Sequence, residues 1–269
     1  MKTMTTVAAM ILAAATFTAC SKAKQESVPA APQPAAKTFT VGFDAEFPPY
    51  GYKDGDTYKG FDLDLAREVC KRKGWTFVAK PIDWDAKDAE LDSGSIDCIW
   101  NGFTHQGREG QYTWTPAYVD NSQVVIVAAN SAISKLADLA GKNVAVQTDT
   151  PVQKALQGQD EDNAAVGALG KTFKQILVVP TYNNAVMELE TGAVDAVALD
   201  VGVAKQKIAD KPGAFKMLDE IIMKETYGIG FKKGNDALAV EVWAAYVEML
   251  ADGTVDKIAA EYKIDGVIR

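Results

Sequence analysis

The chain is poor in the residues that hold metals. It has one histidine, His105, and three cysteines with no Cys-x-x-Cys pair. No spacing suited to a metal site is present. Positive charge is scarce as well. Twenty-eight lysines and arginines stand against 36 acids, a formal net charge of −8. A nucleic-acid interface usually shows the opposite balance. An acidic surface implies solubility and a mild preference for cationic small partners. Long apolar runs are also missing. The longest, Val7 to Phe17, is interrupted only by Thr16 and falls short of the roughly 20 residues that span a bilayer. What is present, 48% hydrophobic residues in a chain of 269, suffices for one or two globular domains with real cores.

Lys2 precedes that run and Thr18-Ala19-Cys20 follows it, so residues 1–19 read as a targeting segment. Small residues before a cysteine resemble the lipobox of bacterial lipoproteins, with Phe17 where those signals carry Leu. The resemblance implies lipidation of Cys20; ordinary signal cleavage nearby is the alternative. Residues 20–37, rich in Ala, Pro, Lys and Gln, read as a flexible tether holding a soluble domain near a membrane. Cys70 falls on the apolar stripe of a helix and Cys98 inside a buried strand. They either pair outside the cytoplasm or remain small buried hydrophobes.

The most informative stretch is Ile99-Trp100-Asn101-Gly102-Phe103-Thr104-His105-Gln106-Gly107-Arg108. It reads as a buried strand opening into a loop with free N–H groups, one hydroxyl and one guanidinium. Ligands of open α/β sheets bind at such strand ends, and arginine grips a carboxylate with two prongs. His105 reads as an exposed loop residue. Upstream, Thr38 to Phe43 alternates as a strand. It enters Asp44-Ala45-Glu46-Phe47-Pro48-Pro49-Tyr50, a loop stiffened by two prolines and suited to a pocket wall. Phe61, Leu65, Val69 and their neighbours form a helix, with Asp62 and Asp64 at its positive end as capping acids and Gly74 closing it. Asp83-Trp84-Asp85 starts a short helix.

The pattern restarts near residue 130. Strands are expected at Lys142 to Gln147, Ile176 to Thr181 and Ile221 to Lys232. Pro151 opens one helix and Asn183 to Glu190 forms another. Ala237 to Ala251 is expected to bury Val240, Trp243, Ala244, Val247 and Leu250. An internal repeat joins the two halves. Leu91-Asp92-Ser93-Gly94-Ser95-Ile96-Asp97-Cys98-Ile99 matches Leu189-Glu190-Thr191-Gly192-Ala193-Val194-Asp195-Ala196-Val197. Two α/β units of like plan thus present two strand ends, one at Asn101-Gly102 and the other at Asp200, across a cleft.

In order and spacing, these pieces resemble the polar amino-acid family of bacterial extracytoplasmic solute-binding proteins, the receptors of amino-acid ABC importers. Phe47-Pro48-Pro49-Tyr50, Gly60 to Ala66, Asn101 to Arg108, Val144 to Gln147, Val194 to Asp200 and Tyr227 to Gly230 carry the likeness, which covers Thr38 to about Ile264. The resemblance implies an α/β, two-lobed, periplasmic-binding-protein-like fold of type II, with two crossing strands as its hinge. Lobe one would hold residues 38–122 and 226–269, and lobe two residues 123–225. Arg108 would pair with the ligand carboxylate, helped by N–H groups near Thr104 and Thr150. Asn101, Gly102 and Thr104 would shape the strand end that meets the α-ammonium, and Asp200 would supply its counter-charge. Phe47 and Trp84 would sandwich the side chain, Asp44 would reach its far end, and Gln147 would line the second lobe. Asp149 and Pro151 depart from the family pattern, since proline has no N–H to give and Asp149 sets a negative charge near the expected carboxylate.

The implied partners are a free polar or cationic amino acid, a permease with its ATPase, and the membrane through a lipid anchor. The protein would be extracytoplasmic and monomeric, with no cofactor, no metal and no nucleic acid. Two rival readings share the fold. A dehydratase-like enzyme would need a positioned acid or base; nothing in the sequence pairs with His105, and Glu46 is the only candidate, an awkward one. A ligand-sensing receptor would need a separate signalling partner, since no membrane segment follows Arg269.

Overall fold

The computed structural model describes residues 36–268, which form one compact unit. The targeting segment, Cys20 and all but the end of the tether lie outside the described residues. Among those described, no helix is long and apolar enough to cross a membrane.

Two sheets carry the fold. The first has the order Thr76–Pro81, Thr38–Phe43, Cys98–Ile99, Gly230–Lys232, Tyr112–Trp114. Its first three strands are parallel, and Gly230–Lys232 runs antiparallel to both neighbours. The second has the order Gln175–Val179, Asn143–Gln147, Ala196–Asp200, Val119–Ala128, Phe215–Met217, with Met223–Tyr227 also pairing on Val119–Ala128. The chain leaves the first sheet after Tyr112–Trp114 and enters the second through Val119–Ala128. It returns through Met223–Tyr227 to Gly230–Lys232. The two connecting strands lie side by side, with Asn121 opposite Glu225. A small meander, Glu46–Phe47, Gly51–Asp54 and Thr57–Lys59, follows the first strand.

The internal repeat has a physical counterpart in these sheets. Asp97 accepts a hydrogen bond from the Thr40 N–H at 2.7 Å, and Asp195 accepts one from the Asn143 N–H at 2.8 Å. In both cases the acid's own N–H donates back to the same residue's carbonyl. The acidic turn therefore ties each repeat strand to its parallel neighbour in the same way. This places the ends Asn101-Gly102 and Asp200 at equivalent positions of the two sheets.

Helix Phe61–Lys73 buries Phe61, Leu63, Leu65, Ala66, Val69 and Cys70, and Gly74 closes it in the left-handed conformation, φ 67°. Asp62 corrects the capping expectation. It makes no cap and is fully buried, with its Oδ2 accepting the Gly102 N–H. Cys70 and Cys98 are both free and buried. Burial pushes their thiols upward, Cys70 to about 11, so they serve as small hydrophobes.

Two further expectations need correction. Helix Asp236–Ala251 buries Leu238, Ala239, Val242, Ala245, Tyr246 and Met249, whereas Val240 and Val247 are exposed. The helix is apolar on more than one stripe, so periodicity alone does not choose the face. The apolar span 221–232 splits at Gly228-Ile229 into strands of different sheets. Gly60, ahead of the first helix, sits at φ 141°, where a Cβ would run into the Tyr50 carbonyl. Gly60→Ala is expected to destabilise by about 3 kcal/mol. In a unit of this size that lowers Tm by roughly 6–12 °C, measurable by thermal denaturation; an unchanged Tm would refute the strain argument.

Candidate functional site

The ends of both repeat strands open into one cleft, whose empty space including its open mouth is about 330 Å³. The first sheet's strand ends and loops, with the meander and the short helix start at Trp84, contribute Asp44, Phe47, Trp84, Asn101, Gly102, Thr104 and Arg108. The second contributes Gln123, Gln147, Asp149, Thr150, Pro151 and Asp200. All ten residues selected from the sequence line this cleft.

Arg108 is buried. Its Nη1 donates to the Thr104 carbonyl at 3.2 Å, and its Nη2 donates across the cleft to the Asp149 carbonyl. The guanidinium lies 5.0 Å from the Phe103 ring centroid. These contacts hold a permanent cation with donors to spare. Gly102 has φ 54°, and a Cβ there would come within 2.8 Å of Phe47 Cε1. Only glycine lets the loop pass so close to the Phe47 ring. Asp62 sits beneath this loop, where burial pushes its carboxyl up to about 7 against the opposing hydrogen bond from Gly102.

Asp200 closes the other strand. Its Oδ1 accepts hydrogen bonds from Asn121 Nδ2 at 2.8 Å, Gln123 Nε2 at 2.9 Å and the Tyr227 hydroxyl, and its Oδ2 accepts from the Tyr182 hydroxyl at 2.8 Å. The same two amides also donate to Glu225 Oε1, at 2.6 and 2.8 Å. A second buried carboxyl, on the returning strand Met223–Tyr227, thus sits behind Asp200, bridged to it by two amides of the outgoing strand Val119–Ala128. Burial, and next the charge of Asp200, push Glu225 up to about 8. Burial raises Asp200 as well. Asp200 is the residue before helix Val201–Asp210, yet its side chain makes no cap; the carboxylate is turned to the cleft cluster instead.

At the side-chain end, Asp44 Oδ2 accepts from Gln147 Nε2 at 2.9 Å. Asp44 Oδ1 accepts from the Glu46 N–H at 2.8 Å, and the Asp44 N–H donates to Asn101 Oδ1 at 2.8 Å. Burial pushes the Asp44 carboxyl upward. Phe47 lies 5.8 Å from Tyr182 between ring centroids, and Trp84 meets Phe103 edge-on at 5.5 Å. Beyond Asp44 and Trp84 the cleft adjoins a second opening bordered by Glu46, Asp83, Asp85 and Glu90.

The departure at Asp149-Thr150-Pro151 resolves into a specific arrangement. Asp149 has a left-handed backbone, φ 49°. Its carbonyl faces Arg108, and its carboxylate pairs with Lys87, at 2.8 Å with Lys154 and at 3.8 Å with Arg108. Burial raises this carboxyl, but the pairs with Lys154 and Lys87 outweigh it and hold it at about 2. Thr150 caps helix Pro151–Leu156, its hydroxyl accepting the Gln153 N–H at 3.3 Å. His105 does not line the cleft; its ring meets Trp114 edge-on at 4.9 Å.

Sequence reasoning passed over Gln123, Asn121, Glu225 and Lys87. A signal for three of them was present. Asn121 and Gln123 stand two apart, as Glu225 and Tyr227 do, a spacing that in extended chain puts each pair on one face.

The model for bacterial extracellular solute-binding proteins, family 3, matches residues 39–264. The chain belongs to that family. The L-cystine-binding protein TcyJ of Escherichia coli (strain K12) is 27% identical over 236 residues, covering 84% of this chain and 82% of the relative. A solved ABC uptake transporter substrate binding protein from Streptococcus pneumoniae with bound histidine superposes with a TM-score of 0.79 at 27% identity, covering 86% of this chain and 94% of that one. An ancestral arginine-binding protein bound to glutamine gives a TM-score of 0.75 at 33% identity, covering 85% and 98%. The fold is therefore the two-lobed, type II periplasmic-binding-protein architecture of this family, one lobe built on each sheet. The family is extracellular, and each of these relatives is named for binding rather than for catalysis.

Proposed function

We propose that this protein is the extracytoplasmic substrate-binding component of an amino-acid ABC importer, closing on a polar or cationic L-α-amino acid in the cleft between its lobes. Lobe one is taken as residues 38–122 and 226–269, and lobe two as residues 123–225. One observation carries the reading: a buried arginine from the first sheet and a buried, multiply hydrogen-bonded aspartate from the second line the same cleft. An α-amino acid presents the complementary pair of charges on one carbon. Its carboxylate goes to Arg108 with N–H help near Thr104 and Thr150, and its ammonium to Asp200 and the Asn101-Gly102-Thr104 strand end. Because each lobe holds half of the site, the ligand stabilises the closed form by differential affinity.

For the side chain, Phe47 and Trp84 offer flat apolar walls, and Asp44 offers an acceptor. The acids around the adjoining opening favour a cation or an amide over a carboxylate, by charge and by stacking on Trp84. Relatives named for histidine and arginine fit the same chemistry. Catalysis has less support, because His105 and Glu46 do not line the cleft. Lipid anchoring at Cys20, with residues 20–37 as tether, completes the proposal and places the binding domain next to a permease and its ATPase.

A thermal-shift screen over the twenty L-amino acids and L-cystine tests the reading. Ligand present at about 100 times its Kd adds about 2.7 kcal/mol, a Tm rise of roughly 5–11 °C for a unit this size. A screen in which no compound raises Tm would overturn it.

A further inference from the structure

The position of Lys87 is unusual for a lysine. Its side chain is 1% exposed, although a buried ammonium is unfavourable unless it is paired. It opens helix Lys87–Asp92, which is fastened to the first sheet through Leu91 in a cluster with Ile96, Ile99, Phe103 and Tyr112. The Nζ nevertheless pairs with the Asp149 carboxylate of the second sheet. On its own side, among the described residues, its charge partners are Asp88 at 3.5 Å and the Trp84 ring at 5.4 Å, and Asp88 also accepts the Tyr112 hydroxyl.

Asp149 faces it in a left-handed backbone, φ 49°, a region uncommon for non-glycine residues in which aspartate and asparagine are enriched. That conformation lets one residue meet two cations of the opposite sheet, Arg108 through its carbonyl and, at 3.8 Å, its carboxylate, and Lys87 through the carboxylate. Its contact with Lys154 lies within the second sheet's own elements and does not require the lobes to meet.

We propose that the Lys87–Asp149 ion pair is an interlobe latch, and that Lys87 is a positioning residue for ligand retention that does not touch the ligand. Lys87 does not line the cleft. Opening the lobes would separate the pair and leave Lys87 with Asp88 and solvent. Closing them desolvates it against a partner already held by Lys154. The latch thus adds to the closed state alone, so its loss lowers apparent affinity through the closed fraction and shows mainly in the dissociation rate. It also accounts for an acid at a position next to the proposed carboxylate site: the negative charge is shared by Lys87, Lys154 and, at the longer distance of 3.8 Å, Arg108. The inference rests on the amino-acid-binding reading.

The test uses the full chain and one probe, an equimolar mixture of the twenty L-amino acids and L-cystine. Small-angle scattering reads closure, and tryptophan fluorescence after dilution reads the dissociation rate. Wild type should close fully. Lys87→Met and Asp149→Asn should each leave the saturated protein partly open and speed dissociation about tenfold or more. The double variant should be no worse than the more affected single variant, because the Lys87–Asp149 pair is already lost in either one, Asp149→Asn also giving up its contacts with Lys154 and Arg108. Lys87→Arg should restore most of the retention. Closure and dissociation of Lys87→Met within twofold of wild type would overturn the latch alone, as would single effects that simply multiply. If Lys87→Met does not fold, Asp149→Asn against Lys87→Arg with Asp149→Glu makes the same comparison. A wild type that does not close with the mixture would overturn the amino-acid reading, and the latch with it.

Discussion

Arg108→Ala should reduce amino-acid affinity by two to three orders of magnitude while leaving a folded protein. The guanidinium is buried against Phe103 and holds two carbonyls, those of Thr104 and Asp149, one on each side of the cleft. Removing it deletes the charge proposed to meet the ligand carboxylate and also a bond that joins the lobes. Truncating one partner of a buried, hydrogen-bonded charge pair loses about 2–5 kcal/mol of binding, and each 1.4 kcal/mol is tenfold. Arg108→Lys should fall between wild type and Arg108→Ala. An ammonium keeps the charge but does not serve two carbonyls and a bidentate carboxylate with a planar fork. Calorimetry with the compound giving the largest thermal shift reads both values. Near-wild-type affinity in Arg108→Ala would sink the assignment.

The second large effect belongs to Asp200 and the carboxyl behind it. Asp200→Asn should cost at least a hundredfold in affinity. It removes the proposed counter-charge to the α-ammonium and turns one acceptor oxygen into a donor among four donors, Asn121, Gln123, Tyr182 and Tyr227. Glu225 should make binding depend on pH. The groups around it are Asp200 and three tyrosines, Tyr50, Tyr182 and Tyr227, whose hydroxyls are pushed upward by burial and by these acids and so stay protonated. With Glu225 near 8 in the folded protein against an ordinary 4.5, the native state keeps a proton that the unfolded chain has released. Its contribution to stability is full below about 4.5 and is lost as pH rises towards about 8. A ligand ammonium against Asp200 has the opposite effect on the pair, favouring the charged form of Glu225. Binding near neutral pH should therefore release up to one proton, and affinity should rise with pH by up to about tenfold per unit below about 8. Calorimetry in buffers of different ionisation heat measures the proton directly. Glu225→Gln should abolish the release; a wild type whose binding heat ignores the buffer would refute the linkage.

What the chain discloses before folding follows from local rules. The repeat Leu91–Ile99 and Leu189–Val197 is legible because a glycine stop, an acidic turn and a β-strand each need particular residues at fixed offsets. The tertiary structure gives Asp97 and Asp195 the same backbone partner in each sheet. Helix Asp236–Ala251 was legible as a helix but not in its buried face, because two apolar stripes compete and only the helices and first-sheet strands packed against it choose between them. The span 221–232 was legible as extended but not as two strands of two sheets, since a strand carries no local mark of which sheet it joins. Asp62 shows the same limit at a helix start, where an acid suits the dipole equally well whether it faces solvent or a buried amide.

By itself the sequence determined the strand ends, the loop that follows each one, and the kinds of group presented there, an arginine with a glycine and hydroxyl on one side and an aspartate on the other. These depend on residue type and short spacing. Only the tertiary structure decided that both ends share one cleft, that Asn121, Gln123 and Glu225 stand behind Asp200, and that Asp149 turns its charge to Lys87. Those partners lie 25 to 104 residues apart in the chain, and a buried polar group takes whatever partner the packing of both sheets leaves within reach. Separation along the chain does not encode that choice; the crossing of two strands does.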